Sequence, residues 1–341
     1  MKWIKLRSGL LYITLIFPAC YIAKINTPEN VNVPERKIEI IDHEALSILD
    51  SSTAVEIIAQ KFNWTEGPLY IEDGDYFIFS DIPENKIYKW KKGDGTNTFL
   101  TPSGYTGVIK REKTPGSNGL LLHPDGHLIL MQQGDRRVAK MIAPLNSPKP
   151  EFVTLIDRYK GMRLNSPNDG VYHPNGDLYF TDPPYGLDKG VSDPSKELDF
   201  SGVYRLKPNG DLDLLTKELK FPNGITLSPD GKFLYVANSD EENMIWMQYE
   251  LDDEGRIKNE REFYQAHAYE GKHVGAPDGM KMNNDGYLFA TGPEGLWLFN
   301  PGGKVIARIY TGQLTSNCAL SCDQKSLYMT CDGYIMHLKL K

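Results

Sequence analysis

One phrase recurs along this chain and restricts its fold more than any other feature: an Asp-Gly or Asn-Gly turn, then a short strand rich in Leu, Tyr and Phe, then a polar residue. It stands at Asp73-Gly74 before residues 76–81, at Asp125-Gly126 before 127–130 and at Asn175-Gly176 before 177–182. It returns at Asp230-Gly231 before 233–238, at Asp285-Gly286 before 287–290, and in degenerate form at Asp323-Gln324 before 326–330. Such pairs favour hairpin turns, because Gly takes positive φ without a steric cost and Asn and Asp tolerate it. The glycines at 74, 126, 176, 231 and 286 lie 52, 50, 55 and 55 residues apart, enough for a four-stranded antiparallel sheet and its loops. Units repeating at this period bury their faces against one another. Six of them arranged radially make an all-β, six-bladed β-propeller, in which no sheet keeps a long exposed edge. The last copy supplies about three strands, and an unassigned strand at residues 55–59 precedes the first. That strand is expected to complete the last blade, giving a propeller domain over residues 55–341.

Length and composition agree with this. A chain of 341 residues, 40% hydrophobic and 24% charged, buries a large core without needing disulfides or metals to fold. The formal net charge is −7 and no run of lysines and arginines tracks phosphates, which argues against a nucleic acid partner. At the start, Lys2, Lys5 and Arg7 precede an apolar stretch at residues 10–17, too short to span a bilayer but suited to a signal peptide. Residues 1–20 are therefore expected to direct export, to the periplasm or the membrane surface. Cys20 follows Phe17-Pro18-Ala19, which resembles a bacterial lipoprotein cleavage site, and a lipid there would be the membrane contact; a plain signal peptide is the alternative. Residues 21–54 read as a tether and lead-in, polar and carrying prolines. Beyond Cys20 the cysteines are Cys318, Cys322 and Cys331, an odd number that gives no disulfide framework. Cys318 and Cys331 are expected to face each other across a hairpin turning near Gln324-Lys325, where a bridge could form.

The repeat also places polar residues. Eight positions before each turn glycine stand Glu66, Asn118, Asn168, Asn223 and Asp278, and Asn317 lies seven before Gln324. Equivalent positions in a propeller are related by rotation, so these side chains should converge at one end of the axis. Any one Asn-Gly or Asp-Gly could simply cap a strand start. Together they place Glu66 and Asp278 among neutral amides, where like charges repel unless a cation lies between them. An oxygen-only donor set suits calcium first and magnesium or manganese next; zinc, which prefers His or Cys, fits less well.

The phrases Trp64-Thr65-Glu66-Gly67-Pro68, Ser117-Asn118-Gly119-Leu120, Asn165-Ser166-Pro167-Asn168-Asp169-Gly170, Phe180-Thr181-Asp182-Pro183-Pro184-Tyr185-Gly186, Phe221-Pro222-Asn223-Gly224 and Pro277-Asp278-Gly279-Met280 closely resemble the gluconolactonase branch of the regucalcin (senescence marker protein), gluconolactonase and luciferin-regenerating enzyme family. The resemblance runs from about Val55 to the C-terminus. It implies a lactonase acting on a small sugar lactone, with metal ligands at Glu66, Asn223 and Asp278. It further implies that Asn168 contacts metal or substrate and that Asp278 moves the proton. Asn118 is then a pocket residue.

In such a reaction a dication would stabilise the charge growing on the lactone carbonyl oxygen, with Asp278 the first candidate for general acid and base and a metal-bound water the alternative nucleophile. His273 lies on the loop approaching Asp278 and is a further substrate-site candidate, as are Asp182 and Tyr185, where the second strand of the third repeat returns toward the ring. His123 and His173 precede the turns at the opposite end and read as structural. Neither a Gly-x-Ser-x-Gly elbow nor a phosphate loop is present. Two other functions fit the same pattern: cleavage of aryl esters or organophosphates, and binding of calcium or sugar without turnover.

Overall fold

The computed structural model describes residues 35–109, 115–266 and 275–341. The expected export signal, Cys20, the first part of the expected tether and His273 lie outside the described residues. Six antiparallel sheets follow one another along the described chain, with a two-stranded ribbon at Arg158–Tyr159 and Met162–Arg163 between the second and third. This is the six-bladed propeller that the repeat requires. Among the described residues the helical elements are short 3-10 turns, at His43–Ser47, Pro184–Gly186 and Gly190–Ser192.

The blades begin on the axis with the strands Thr65–Ile71, Ser117–Leu122, Gly170–Tyr172, Pro222–Leu227, Met280–Met282 and Thr315–Leu320. Each is followed outward by its hairpin partner across the recurring turn. Gly74, Gly126, Gly176, Gly231 and Gly286 all have positive φ, between 71° and 111°. The degenerate sixth copy keeps the same backbone: Gln324 takes φ of 58°, a conformation that costs a residue with a Cβ roughly 1 kcal/mol. Turn geometry is thus conserved around the ring even where glycine is not.

Burial explains why the sheets stand side by side. The hydrophobic core is a set of six wedges, one at each junction between neighbouring blades. Phe180 and Tyr204 of the third blade share a cluster with Ile129 and Met131 of the second. Trp246 of the fourth packs on Trp297 of the fifth, ring centroids 5.5 Å apart. Phe77 and Phe79 of the first close on Tyr328 and Ile335 of the sixth. At about 25 cal/mol per Å² of apolar surface removed from water, each wedge contributes several kcal/mol, and none forms without both blades.

Two N-terminal segments complete the outer edges. Glu56–Gln60 pairs antiparallel with Tyr334–Lys339, Ile57 opposite Met336, so the first strand of the domain closes the last blade as the sequence predicts. The lead-in does more than connect. Lys37–Ile40 adds a fifth strand to the fifth blade, Ile38 opposite Ile309, and the turn at His43–Ser47 drops Ala45 and Leu49 into the wedge between the fifth and sixth blades.

The expected Cys318–Cys331 pairing does not occur. A register shift between Thr315 and Asn317 sets Cys318 opposite Met329 and Cys331 opposite Thr315, and both thiols are free and buried. Burial pushes each thiol up to about 12, which keeps them protonated and inert.

Removing residues up to 61 should leave Tyr334–Lys339 as an unpaired edge and strip Ala45, Leu49 and Val55 from their wedge. The truncated chain is expected to melt at least about 10 °C lower and to self-associate through the open edge. Scanning calorimetry and size-exclusion chromatography check this; an unchanged melting temperature would show that closure is not holding the ring.

Candidate active site

The positions reached by stepping back along each repeat do meet on the axis. Glu66, Asn118, Asn168, Asn223 and Asn317 are all buried, and the Asp278 carboxyl lies within the electrostatic reach of Glu66. What lets them approach is the glycine that follows. A Cβ on Gly67 would lie 1.9 Å from the Asn118 carbonyl oxygen, one on Gly224 would lie 2.1 Å from that of Asp278, and one on Gly279 would lie 2.0 Å from the Asn317 side chain. Each Asx-Gly or Glu-Gly step is therefore a joint against which the next blade's axial residue packs. Hydroxyls fasten the same seams: Ser80 donates to Asn118 O, Thr181 to Asn223 O and Ser316 to Thr65 O, at 2.7 to 2.9 Å.

A second tier holds the loops that carry the ring. Asp182 accepts the backbone N–H groups of Asn165 and Ser166, both at 2.7 Å. Asp81 accepts those of Asn63 and Trp64, and Asn238 that of Phe221. Trp64, Ser166 and Phe221 each stand two residues before a ring position, so the bond fixes the backbone leading into it. This corrects the expectation for Asp182. Wholly buried, with both oxygens taken by the loop, it braces Asn168 from behind and does not face substrate. Burial pushes its pKa up to about 7, against the pull of those two N–H groups and of Arg136.

Tyr185 stands within the electrostatic reach of Asp278. The Ser166 hydroxyl donates to Pro183 O and accepts from Gly186 N–H, tying the 3-10 turn over the ring. The Tyr185 ring stacks on Phe221 at 5.8 Å and remains 39% exposed. Its hydroxyl is raised above its ordinary range, by burial first and by the Asp278 carboxylate next. His123, by contrast, pairs with Asp125 at the turn end, 2.7 Å away, as a structural residue would.

Electrostatics give the site its character. Glu66 is pushed up to about 8, chiefly by burial and then by Asp169, against the Gly67 N–H that it accepts. Asp278 is raised well above its ordinary value, by burial and then by Glu66 and Asp169. The Asp278 Oδ1 and Asn118 Oδ1 atoms are buried without a hydrogen-bond partner. Unpaired buried acceptors are costly, and clustered carboxylates more so. A hard cation would satisfy Asp278 Oδ1 and offset the clustered charge, so the donors fit a divalent ion bound through oxygen. Among the described residues no group of three His, Cys, Asp or Glu side chains is placed to hold a metal, so amide oxygens would have to complete the ligand set, which disfavours zinc.

The sequence reading passed over Asp169. In the third repeat Asp169 stands where four other copies have glycine, so counting back eight positions reaches Asn168 and skips the buried aspartate beside it. The doubled Asn168-Asp169 before Gly170, where the other copies have one residue, was the available signal.

Comparison with known proteins agrees with the fold. The family model described as "SMP-30/Gluconolactonase/LRE-like region" matches residues 64–332, which include every axial position above. A gluconolactonase of Zymomonas mobilis is 38% identical over 306 residues, 86% of this chain and 83% of that protein. The solved structure of a gluconolactonase from Xanthomonas campestris superposes with a TM-score of 0.76 at 25% identity, covering 89% of this chain and 95% of that one. Diisopropyl-fluorophosphatase of Loligo vulgaris is 22% identical, over 80% of this chain and 87% of that protein.

The raised carboxylates predict an unusual pH dependence. In chelator-treated protein the folded state binds more protons than the unfolded chain between the ordinary Glu value of 4.5 and about 8. Stability should therefore fall as pH rises through that window, and saturating calcium should flatten the slope. Thermal melts at pH 5 to 9 with and without calcium test this; chelated protein that grows more stable over the window would contradict the assignment.

Proposed function

The chain belongs to the SMP-30/gluconolactonase/LRE-like family, and from that premise we propose that it hydrolyses a small sugar lactone on the propeller axis, with one divalent cation held by Glu66, Asn168, Asn223 and Asp278. The observation that carries the metal reading is Asp278 Oδ1, buried and partnerless within the electrostatic reach of the Glu66 carboxylate. Oxygen donors of this kind support calcium, with magnesium or manganese next.

Bound there, the ion would stabilise negative charge developing on the lactone carbonyl oxygen. The remaining work falls to side chains of this chain. Asp278 has two oxygens, so one can face the cation while the other takes a proton from the attacking water. As the ring C–O bond breaks, the same carboxyl returns that proton to the departing alkoxide. Asn118 offers its amide to the sugar, held in place because Ser80 anchors its backbone. Tyr185, stacked on Phe221, forms an apolar and hydroxylated wall against which a sugar ring can lie. Asn223 donates Nδ2 to Ser239 at 3.0 Å, which turns its carbonyl oxygen toward the axis.

Gluconolactonase relatives favour a sugar lactone over a fluorophosphate, since the 38% match covers most of both chains and the fluorophosphatase match is 22% identical. Asp278→Asn keeps the shape and an oxygen donor but loses a charge and the proton-transfer atom. With calcium saturating and occupancy measured directly, it is expected to lower kcat on D-glucono-1,5-lactone by about 10² to 10⁴. Wild-type turnover in that variant would remove Asp278 from the proton steps. A wild-type enzyme equally active in excess chelator would remove the cation, and one that cleaves a fluorophosphate or aryl ester but no lactone would replace the substrate class.

A further inference from the structure

The axis carries charge that this mechanism does not use. Asp169 is 2% exposed and turns its carboxylate inward, where Asn317 Nδ2 donates to its Oδ2 at 3.3 Å. The same amide reaches Glu66 Oε2 at 3.5 Å, so Asn317 bridges the two acids. Lys281, three residues past Asp278, brings its Nζ to 4.0 Å from Asp169 Oδ2 with 28% of its side chain exposed. Met280 packs into the wedge with the fourth blade, and the alternation of a strand sends Lys281 the other way, toward Asp169. The chamber therefore holds three carboxylates, those of Glu66, Asp169 and Asp278, and the ammonium of Lys281.

We propose that Lys281 is a fixed counter-cation for Asp169, and that this pair sets the negative charge which the ring presents to a divalent ion, and so the affinity with which the ion is held. The inference rests on the metal reading above. Two carboxylates and neutral amides make a site of moderate charge; a third, unbalanced acid would tighten it, because affinity at oxygen sites follows the count of charged ligands and their neighbours. A unit charge within about 10 Å of a dication alters its binding on the order of tenfold at the effective dielectric of a partly wet site. Affinity matters to a catalyst, since an ion gripped by surplus charge is a weaker electrophile.

Calorimetric titration of calcium into the chelated full-length protein and four variants tests the proposal. Lys281→Met should bind calcium about tenfold more tightly than wild type, and Asp169→Asn about tenfold more weakly. The double variant should return to near the wild-type value, and Lys281→Arg, which keeps the charge, should match wild type. The sign is decisive. If the pair were only structural, losing it would let Asp169 and Asn317 shift and would weaken binding, so unchanged or weaker affinity in Lys281→Met overturns the proposal. Should that variant fail to fold by circular dichroism, Asp169→Asn decides, and unchanged or tighter binding there overturns it as well. Wild-type protein that binds no calcium, magnesium or manganese would sink the metal reading itself, whereas normal wild-type binding with a flat variant series sinks only this inference.

Discussion

The repulsion between acids buried on one axis is the interaction on which the rest of this structure turns. Burial raises the pKa of Glu66 and of Asp278, and the charges around them, Asp169 on both and Glu66 on Asp278, add to that push. A fold can tolerate such an arrangement only if the surrounding scaffold is too stiff to let the acids separate. Here six apolar wedges provide the stiffness, each shared by two blades, and the chain's own N-terminal strand locks the circle through Glu56–Gln60. Function is drawn from the strain: oxygens kept close and short of partners are the kind of preorganised site that stabilises charge in a transition state.

The route from sequence to that site runs through glycine twice. In the outer turns glycine is used for positive φ, which is why the repeat could be read at all, and Gln324 shows that the turn persists when only the geometry is left. In the inner steps at Gly67, Gly224 and Gly279 it is used for the absence of a Cβ, because the next blade's axial residue stands where one would be. The first use announces the fold and the second packs the ring, which is why the same phrases carried both the architecture and the axial residues.

What escaped the sequence did so for local reasons. Asp169 was hidden because it stands where four other copies have glycine, a position that counting back to the ring residue does not sample, and Lys281 by lying on a strand whose facing could not be told from a three-residue pattern. Asp182 looked like a pocket wall because a polar residue ends its strand at the ring side, whereas in the fold the Asn165 and Ser166 N–H groups occupy both of its oxygens. Cys318 and Cys331 were placed by counting evenly around a turn, and a bulge between Thr315 and Asn317 broke the count. The strand at Lys37–Ile40 has no turn phrase before it and pairs with residues some 270 positions away, a contact that local reading does not reach. Repeat phase, in short, transmits everything that rotation preserves and nothing that a single substitution or bulge alters.

The central claim is that these axial oxygens hold one divalent ion where the lactone is opened. The direct measurement is a crystal of the protein soaked with calcium, with anomalous diffraction recorded at a long wavelength. One peak on the axis, at roughly 2.3 to 2.6 Å from oxygens of Glu66, Asn168, Asn223 and Asp278, is the predicted result. An anomalous map with no axial peak at saturating calcium, or with its peak at another face of the propeller, would contradict it.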